Sequence, residues 1–333
     1  MSVQITIIGL GQIGASVGLA LKSHSDNLYI VGHDKEPDAA KAAQAMGAVD
    51  TYKYNLPDSI RDAQVVVLAV PLSEVRETLE VIGPDLQESA VVLDTALAKG
   101  TVAAWARELV PQGRFYAGLF PAIHPDRLHE TIQGVRAARA DLFERSVTVA
   151  ALPPGTPESV FKLATDFITL LGSKPLFMDI TEADGLVGKV HILPQLAAAA
   201  LLDATLDKPG WQEARKLAGR PYASVTAGAA YNDDSNSLCE AVLTDRENAI
   251  RLLNAYITSL IELRDEIEDG DREAVGKRLN NALEGRNRWL GERARADWTE
   301  RVGEQALEGQ SMGERMSQMF FGSAMTKRTK QRK

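Results

Sequence analysis

The chain is short of the residues from which many sites are built. It has one cysteine, Cys239, and five histidines in 333 residues. A single cysteine excludes an intramolecular disulfide framework and a cysteine-built metal centre. No uninterrupted apolar run reaches membrane-spanning length, so no membrane partner is expected. Basic residues are outnumbered: 37 Lys and Arg against 45 Asp and Glu leave a net charge of −8, which argues against a general nucleic-acid binder. The one strongly basic stretch, Lys327 to Lys333, reads as a solvated tail. Repeats and low-complexity tracts are lacking too. A strand pattern begins at once, leaving no room for a signal peptide, and a cytoplasmic location is expected.

What is present is an ordinary globular composition, 45% hydrophobic and 25% charged. Its length suggests two domains. The most informative stretch is the first. Val3 to Ile8 is a short β-branched run bounded by glycine, so it reads as a buried strand. Gly9, Gly11 and Gly14 follow at G-x-G-x-x-G spacing, with Gln12 and Ile13 between them, and a helical pattern runs to Lys22. Gly9 permits the turn off the strand, Gly11 lets a pyrophosphate approach the backbone, and Gly14 lets the helix pack closely. The helix N-terminus offers free N–H groups to the phosphates. Leu28 to Val31 is a second strand. Asp34 lies at its tip, twenty residues beyond Gly14, where a carboxylate binds ribose hydroxyls. The order of strand, glycines, helix, strand and acid implies a bound dinucleotide. Asp34 favours NAD over NADP, because it repels a 2′-phosphate; Lys35 softens that preference without reversing it, so NADP stays possible.

Strand and helix patterns then alternate. A helix spans Pro37 to Met46 and closes at Gly47, and a Val-Asp-Thr strand follows. Val65 to Pro71 is a buried strand, with Ser73 a plausible N-cap for a helix over Glu74 to Ile82. Ala90 to Asp94, Arg114 to Gly118 and Ser146 to Ala151 read as further strands, and Gly100 to Leu109 as a helix. Alternation of this kind means a doubly wound parallel sheet, an α/β fold. Ligands there sit at the carboxyl ends of strands, so the loops after Ile8, Val31, Val70, Leu93 and Gly118 define the cleft. Val70 and Pro71 join the cofactor-binding candidates on that ground.

From Thr181 the strand pattern stops. Glu182 to Leu206 forms an alanine- and leucine-rich helix interrupted by Pro194, apolar nearly all round. Ser237 to Glu268 forms a second, with Leu238, Val242, Ile250, Leu253, Ile257, Leu260, Leu263 and Ile267 in one stripe. After a turn at Glu268 to Asp271, a third helix runs from Arg272 to about Ala296. The expected division is a dinucleotide-binding domain over 1–178, a helical substrate and dimerisation domain over 179–310, and a tail over 311–333. Long apolar helices with little else to cover them imply a homodimer.

Several segments in order carry a family resemblance. They are Gly9-Leu-Gly-Gln-Ile-Gly14, His33-Asp34, Leu68-Ala-Val-Pro71, Asp94-Thr-Ala-Leu-Ala-Lys-Gly100, Gly134 to Phe143, and Glu182-Ala-Asp184 leading into His191-Ile-Leu-Pro194. From about residue 3 to 290 the chain resembles the prephenate and arogenate dehydrogenase family of tyrosine biosynthesis. The resemblance implies an N-terminal Rossmann domain, an all-α dimerisation domain, and NAD(P)-dependent oxidative decarboxylation of a cyclohexadienol. Hydride passes from the ring carbon bearing the hydroxyl to nicotinamide C4, an acceptor takes the hydroxyl proton, and loss of the carboxylate aromatises the ring. Such chemistry needs a His-type acceptor and cationic donors for substrate carboxylates.

The chain departs from the family's pattern at four places. Leu97-Ala-Lys-Gly100 lacks the family's serine. The family's Gly-His-Pro segment becomes Gly118-Leu-Phe-Pro-Ala-Ile-His124, so either Leu119 replaces the histidine or His124 supplies it from further along. The helical histidine is displaced to His191, four residues before Gln195. The family's substrate-binding arginine falls where this chain has Val225-Thr-Ala-Gly228. The catalytic candidates are therefore His124, His191 and Lys99, the last as a grip on a substrate carboxylate or the nicotinamide ribose. Gln195 and Asn232 are weaker polar candidates. His33 is expected near the adenine ribose, and His24 and His129 on the surface. Tyr231 to Ser237 has metal-site composition but no ligand spacing, so no metal is expected. The arginines from Arg286 to Arg295 read as a solvated helix face, one of which can reach a partner's cleft in a dimer. Two rival functions stand beside the leading one. One is a dehydrogenase of the same fold acting on another small hydroxy or imino acid; the other is a non-catalytic NAD-binding regulatory dimer.

Overall fold

The computed structural model describes residues 3–24, 27–130, 132–230 and 235–296. By contacts the chain divides into two compact units. The first comprises 1–70, 74–180 and 287–333, the second 71–73 and 181–286.

The first unit is built on a sheet whose strands are β1 (Val3–Ile8), β2 (Leu28–His33), β3 (Thr51–Tyr52), β4 (Val65–Leu68), β5 (Val91–Asp94), β6 (Phe115–Pro121), β7 (Val147–Ala151) and β8 (Lys174–Met178). Their order in space is β3-β2-β1-β4-β5-β6-β7-β8. The chain leaves β1 in one direction for β2 and in the other for β4, which places the topological switch point, and the expected crevice, at the carboxyl end of β1. The connecting helices are α1 (Gln12–His24), α2 (Pro37–Ala45), α3 (Leu56–Ile60), α4 (Leu72–Ile82), α5 (Lys99–Leu109) and α6 (Glu158–Leu170). β4 and β5 are buried along their whole length. Ile5, Ile7, Ile30, Val65, Val67 and Leu93 form the sheet's share of a core closed by Val17, Leu21, Leu163 and Phe167. Each such side chain contributes about 1.5–3 kcal/mol over its exposed state.

Three details of this unit differ from expectation. β7 runs antiparallel to β6, pairing Pro121 with Thr148 and Gly118 with Ala151. Among its described residues the connection 122–146 contains, as helical elements, only the short 3₁₀ turns Pro125–Arg127 and Gly134–Ala137. Without a crossover helix the chain returns into the sheet from the edge at which it left, and an antiparallel pairing results. The described residues of 122–146 therefore stay at the carboxyl end of the sheet. β8, absent from the sequence reading, pairs parallel with β7; its Leu176 and Phe177 are exposed, so it lacks the fully apolar pattern of the inner strands. Finally, α4 begins at Leu72, which puts Ser73 inside the first turn rather than at the N-cap.

The second unit is helical. Its elements are α7 (Ile180–Val187), a π-helical segment Gly188–Ile192, α8 (Leu193–Thr205), α9 (Trp211–Leu217), α10 (Arg220–Thr226), α11 (Ser235–Thr244), α12 (Arg246–Glu268) and the first part of α13 (Arg272–Arg295). Pro194 follows directly on the π segment at the start of α8, where the changed hydrogen-bond pattern accommodates its missing N–H. The expected single helix over Ser237 to Glu268 is broken at Asp245, which leaves helical geometry at φ −113°, ψ 53° and precedes α12 as its cap residue. Helix α12 packs closely on the π segment: a Cβ on Gly188 would lie 2.8 Å from Leu252 Cδ1. Among the described residues the stretch Ile180–Thr205 is, by length and composition, long and apolar enough to cross a membrane, but Glu182, Asp184, Lys189 and Asp203 interrupt it, so it is not an uninterrupted apolar run. Each is costly at a bilayer centre, and core helices of soluble proteins meet the same measure.

Candidate active site

The glycine loop is shaped by close approach. Gly9 has φ +88°, and a Cβ there would stand 2.4 Å from Ala69 O. A Cβ on Gly14 would lie 1.9 Å from Gly9 O, so the first turn of α1 presses directly on the loop. At Gly11 the position of a Cβ is open, with no atom within 4 Å. This is the geometry a pyrophosphate needs: backbone without side chains, beside the N–H groups of Gln12 and Ile13 that no helical carbonyl accepts. Val70 borders the loop, its Cγ1 3.0 Å from a Cβ built on Gly9, and Pro71 follows it, exposed.

Asp34 completes this half of the site. Its Oδ2 accepts the N–H of Leu10 at 2.6 Å and its Oδ1 that of Glu36 at 2.8 Å. The carboxylate thus ties the glycine loop to the end of β2 and keeps further acceptor lone pairs. Lys35, the cation that would soften a preference for NAD, forms an ion pair with Glu74, which raises its pKa. His33 Nδ1 lies 3.0 Å from Lys53 O. The segment Gly134–Ala138 leans on α1 from the other side: Arg139 N donates to Ser16 Oγ at 2.9 Å, and Gln12 Nε2 to Ala137 O at 3.5 Å.

At the carboxyl end of β5 lies a buried polar group of a different kind. Lys99 and Asp94 are both fully buried and joined at 2.9 Å. Tyr116 donates to the same Asp94 oxygen at 2.7 Å, and Ala96 N to the other at 2.7 Å. A Cβ on Gly118 would stand 2.6 Å from Lys99 Cδ, so that glycine makes room for the lysine stem. Lys99 was expected to hold a substrate carboxylate or the ribose. Its ammonium instead lies on Asp94, without solvent exposure, where it fixes the turn from β5 into α5. Asp94 and Tyr116 escaped the sequence reading; a strand-ending acid five residues before a lysine is the signal that points to the pair.

His124 lies in the connection 122–146, 8% exposed. Its N–H donates to Leu142 O at 2.6 Å, and its Nδ1 accepts the N–H of Asp126 at 3.1 Å. An Nδ1 that accepts is unprotonated, so the proton of the ring is on Nε2. The Asp126 carboxylate at 3.8 Å from Nδ1 is an ion-pair partner only for a protonated ring; the shorter backbone bond decides the tautomer. Ion pairs of Arg127 with Glu130 and Asp141, and of Arg139 with Asp141, brace the same loop. Leu119, the other position offered for the family's histidine, is 1% exposed within the core. Arg293, near the end of α13, donates from Nη2 to Ile123 O at 2.6 Å. Sequence pattern gave no reason to single it out from its arginine-rich surroundings.

Within the second unit, His191 lies on the π-helical segment, a geometry common at functional sites. Burial pushes its pKa down to about 4, so the imidazole is neutral over the physiological range. Gln195 is buried and donates from Nε2 to His191 O at 2.8 Å. Asn232 and the tail lie outside the described residues. Among the described residues no group of three or more His, Cys, Asp or Glu is placed to hold a metal ion.

A doubly wound sheet with an open glycine loop and an acid at the tip of β2 defines a dinucleotide-binding protein. Comparison with known proteins narrows the class. Residues 17–176 match the family described as prephenate dehydrogenase, nucleotide-binding domain. The chain is 27% identical over 298 residues to a prephenate dehydrogenase of Lactococcus lactis, covering 84% of this chain and 77% of that protein. It is 23% identical over 271 residues to a cyclohexadienyl dehydrogenase of Zymomonas mobilis, covering 80% and 90%. Its fold matches that of the Aquifex aeolicus prephenate dehydrogenase solved with hydroxyphenyl propionate and NAD+, with a TM-score of 0.75, 21% identity, and coverage of 86% and 98%. Together these matches support a divergent member of the prephenate and arogenate dehydrogenase family.

Proposed function

We propose that the chain is an NAD-dependent dehydrogenase that oxidatively decarboxylates prephenate or arogenate. The observation that carries the cofactor half is the Asp34 carboxylate, anchored by Leu10 and Glu36 beside the open position at Gly11. The relatives' names, prephenate and cyclohexadienyl dehydrogenase, support the substrate half. NAD, when bound, supplies the hydride acceptor. The N–H groups of Gln12 and Ile13 receive the pyrophosphate, and Asp34 the adenosine ribose. Val70 borders the loop, and Pro71, next in the chain, is assigned to the cofactor with it. Pairing of Lys35 with Glu74 offsets part of its charge, so the repulsion between Asp34 and a 2′-phosphate favours NAD over NADP. His191, kept neutral because burial lowers its pKa to about 4, suits a hydrogen-bond acceptor for the substrate hydroxyl rather than a strong base. Lys99 acts as a positioning residue for the turn after β5.

The chain acts as a cytoplasmic homodimer in this reading. Ile250, Ile257, Leu260 and Ile267 on α12, with Leu279, Leu283 and Trp289 on α13, are all exposed in the single chain. This exposed apolar set supports an interface with a second copy.

The test is NADH formation by purified protein with prephenate and arogenate as separate substrates. NAD+ binding without NADH from either sinks the substrate assignment. The leucine at 119 and the absence of arginine over Val225–Gly228 favour one rival, a same-fold dehydrogenase of another small hydroxy or imino acid. Turnover of such an acid, with prephenate neither oxidised nor competitive, selects that rival. Oxidation that survives in the His124→Ala, His191→Ala double variant removes both histidines from the mechanism.

A further inference from the structure

β8 ends the sheet, and among the described residues no strand pairs with its outer edge. An open sheet edge is a template for another segment, and this one is apolar as well. Between β8 and α6 lies a pocket of about 230 Å³, lined by Ala150, Leu152, Phe161, Phe177 and Met178 and by no charged residue. The rings of Phe161 and Phe177 stand 5.4 Å apart between centroids, yet each residue stays 41% exposed.

The chain itself brings a cover within reach. The described part of α13 ends beside β7: the Arg145 guanidinium donates to Ala294 O. Arg145 stands two residues before Val147, which pairs with Lys174 at the start of β8. Beyond Ala296, outside the described residues, the sequence gathers Met312, Met316, Met319, Phe320 and Phe321 into one short segment. Positions i, i+4, i+7 and i+8, here 312, 316, 319 and 320, share one face at helical period. Three of the chain's seven methionines are among them, and a thioether suits an irregular pocket walled by aromatic rings. The distances agree. A stretch of 15 residues, the length of 297–311, reaches roughly 20–23 Å by random-coil statistics. Phe177 lies three residues into β8, roughly 10 Å along the strand. Pocket and segment both fall in the first unit.

We propose that the segment Met312–Phe321 covers the Phe161–Phe177 pocket of its own chain and shields the β8 edge from a second molecule. β8 is the fifth strand from β1, roughly 24 Å across the sheet, so the cover acts away from the glycine loop.

Hydrogen exchange, read by mass spectrometry, is followed on the full chain as wild type, as the tail variant Met316→Asp, Phe320→Asp, and as the pocket variant Phe177→Lys. The tail variant alters no residue of the core, so it decides the matter even where Phe177→Lys fails to fold. Amides over Lys174–Met178 are expected to exchange at least about tenfold faster in the tail variant than in wild type, and those over Met312–Phe321 likewise in Phe177→Lys. NAD+ affinity is expected to stay at the wild-type value in both, and sedimentation to show larger assemblies of the tail variant than of wild type at equal concentration. Equal exchange over Lys174–Met178 in wild type and tail variant overturns the proposal. So does wild-type protection of that stretch that grows with protein concentration, because a second copy would then be the cover. Faster exchange accompanied by lost NAD+ affinity marks a general loosening and overturns it too. Assemblies of the tail variant no larger than those of wild type remove the shielding role.

Discussion

His191 gives the sharpest link between structure and a solution property. Burial holds its folded-state pKa at about 4, against 6.5 for the free side chain. Above pH 6.5 the ring is neutral in both states and contributes no pH dependence. As pH falls below 6.5, the unfolded chain takes up a proton that the folded chain refuses, so stability drops with acid until about pH 4. At 1.36 kcal/mol per unit, the gap between 6.5 and about 4 corresponds to roughly 3 kcal/mol at the acid end. Replacing His191 by Leu, a neutral group of similar size, removes this contribution. Urea unfolding of both proteins at a series of pH values from 7.5 to 4 measures it. The difference in stability between His191→Leu and wild type is expected to move in favour of the variant by up to about 3 kcal/mol as pH falls. A difference that stays constant across the series refutes the burial argument.

Other consequences are as specific. Gly14→Ala puts a methyl 1.9 Å from Gly9 O, so the loop must shift; NAD+ affinity by calorimetry is expected to fall at least about tenfold, or 1.4 kcal/mol. Lys99→Met leaves Asp94 as an uncompensated buried charge beside Tyr116, and chemical denaturation is expected to show a loss of about 3–5 kcal/mol. Glu74→Gln frees Lys35 to meet a 2′-phosphate. Because the pair is exposed, the ratio of NADP+ to NAD+ affinity is expected to rise only about two- to fivefold, and an unchanged ratio denies Glu74 that influence.

How much of this was legible in the sequence depends on the range of the interactions involved. The stretch from Val3 to Asp34 was readable because its signals are local: a β-branched run, glycines at fixed spacing and a strand-ending acid. The structure adds the reason for each glycine and shows Asp34 bound to the loop it follows. The direction of β7 was not readable, because the alternation that marks a strand carries no record of which way its neighbour runs. Lys99 was correctly placed after the fifth strand, but its role depends on Asp94 and Tyr116, brought together by pairing of β5 with β6. The break at Asp245 was hidden because the apolar stripe runs on across it. His124 and Arg293, far apart in the chain, meet the same loop only through the path of α13.

The most direct test of the account follows NADH and CO2 together, on purified protein with NAD+ and either prephenate or arogenate. The account predicts one CO2 released for each NADH formed, with NADP+ a poorer partner than NAD+ and a raised NAD+ requirement in Gly14→Ala. Tight NAD+ binding with neither product, or NADH formed without CO2, would contradict it.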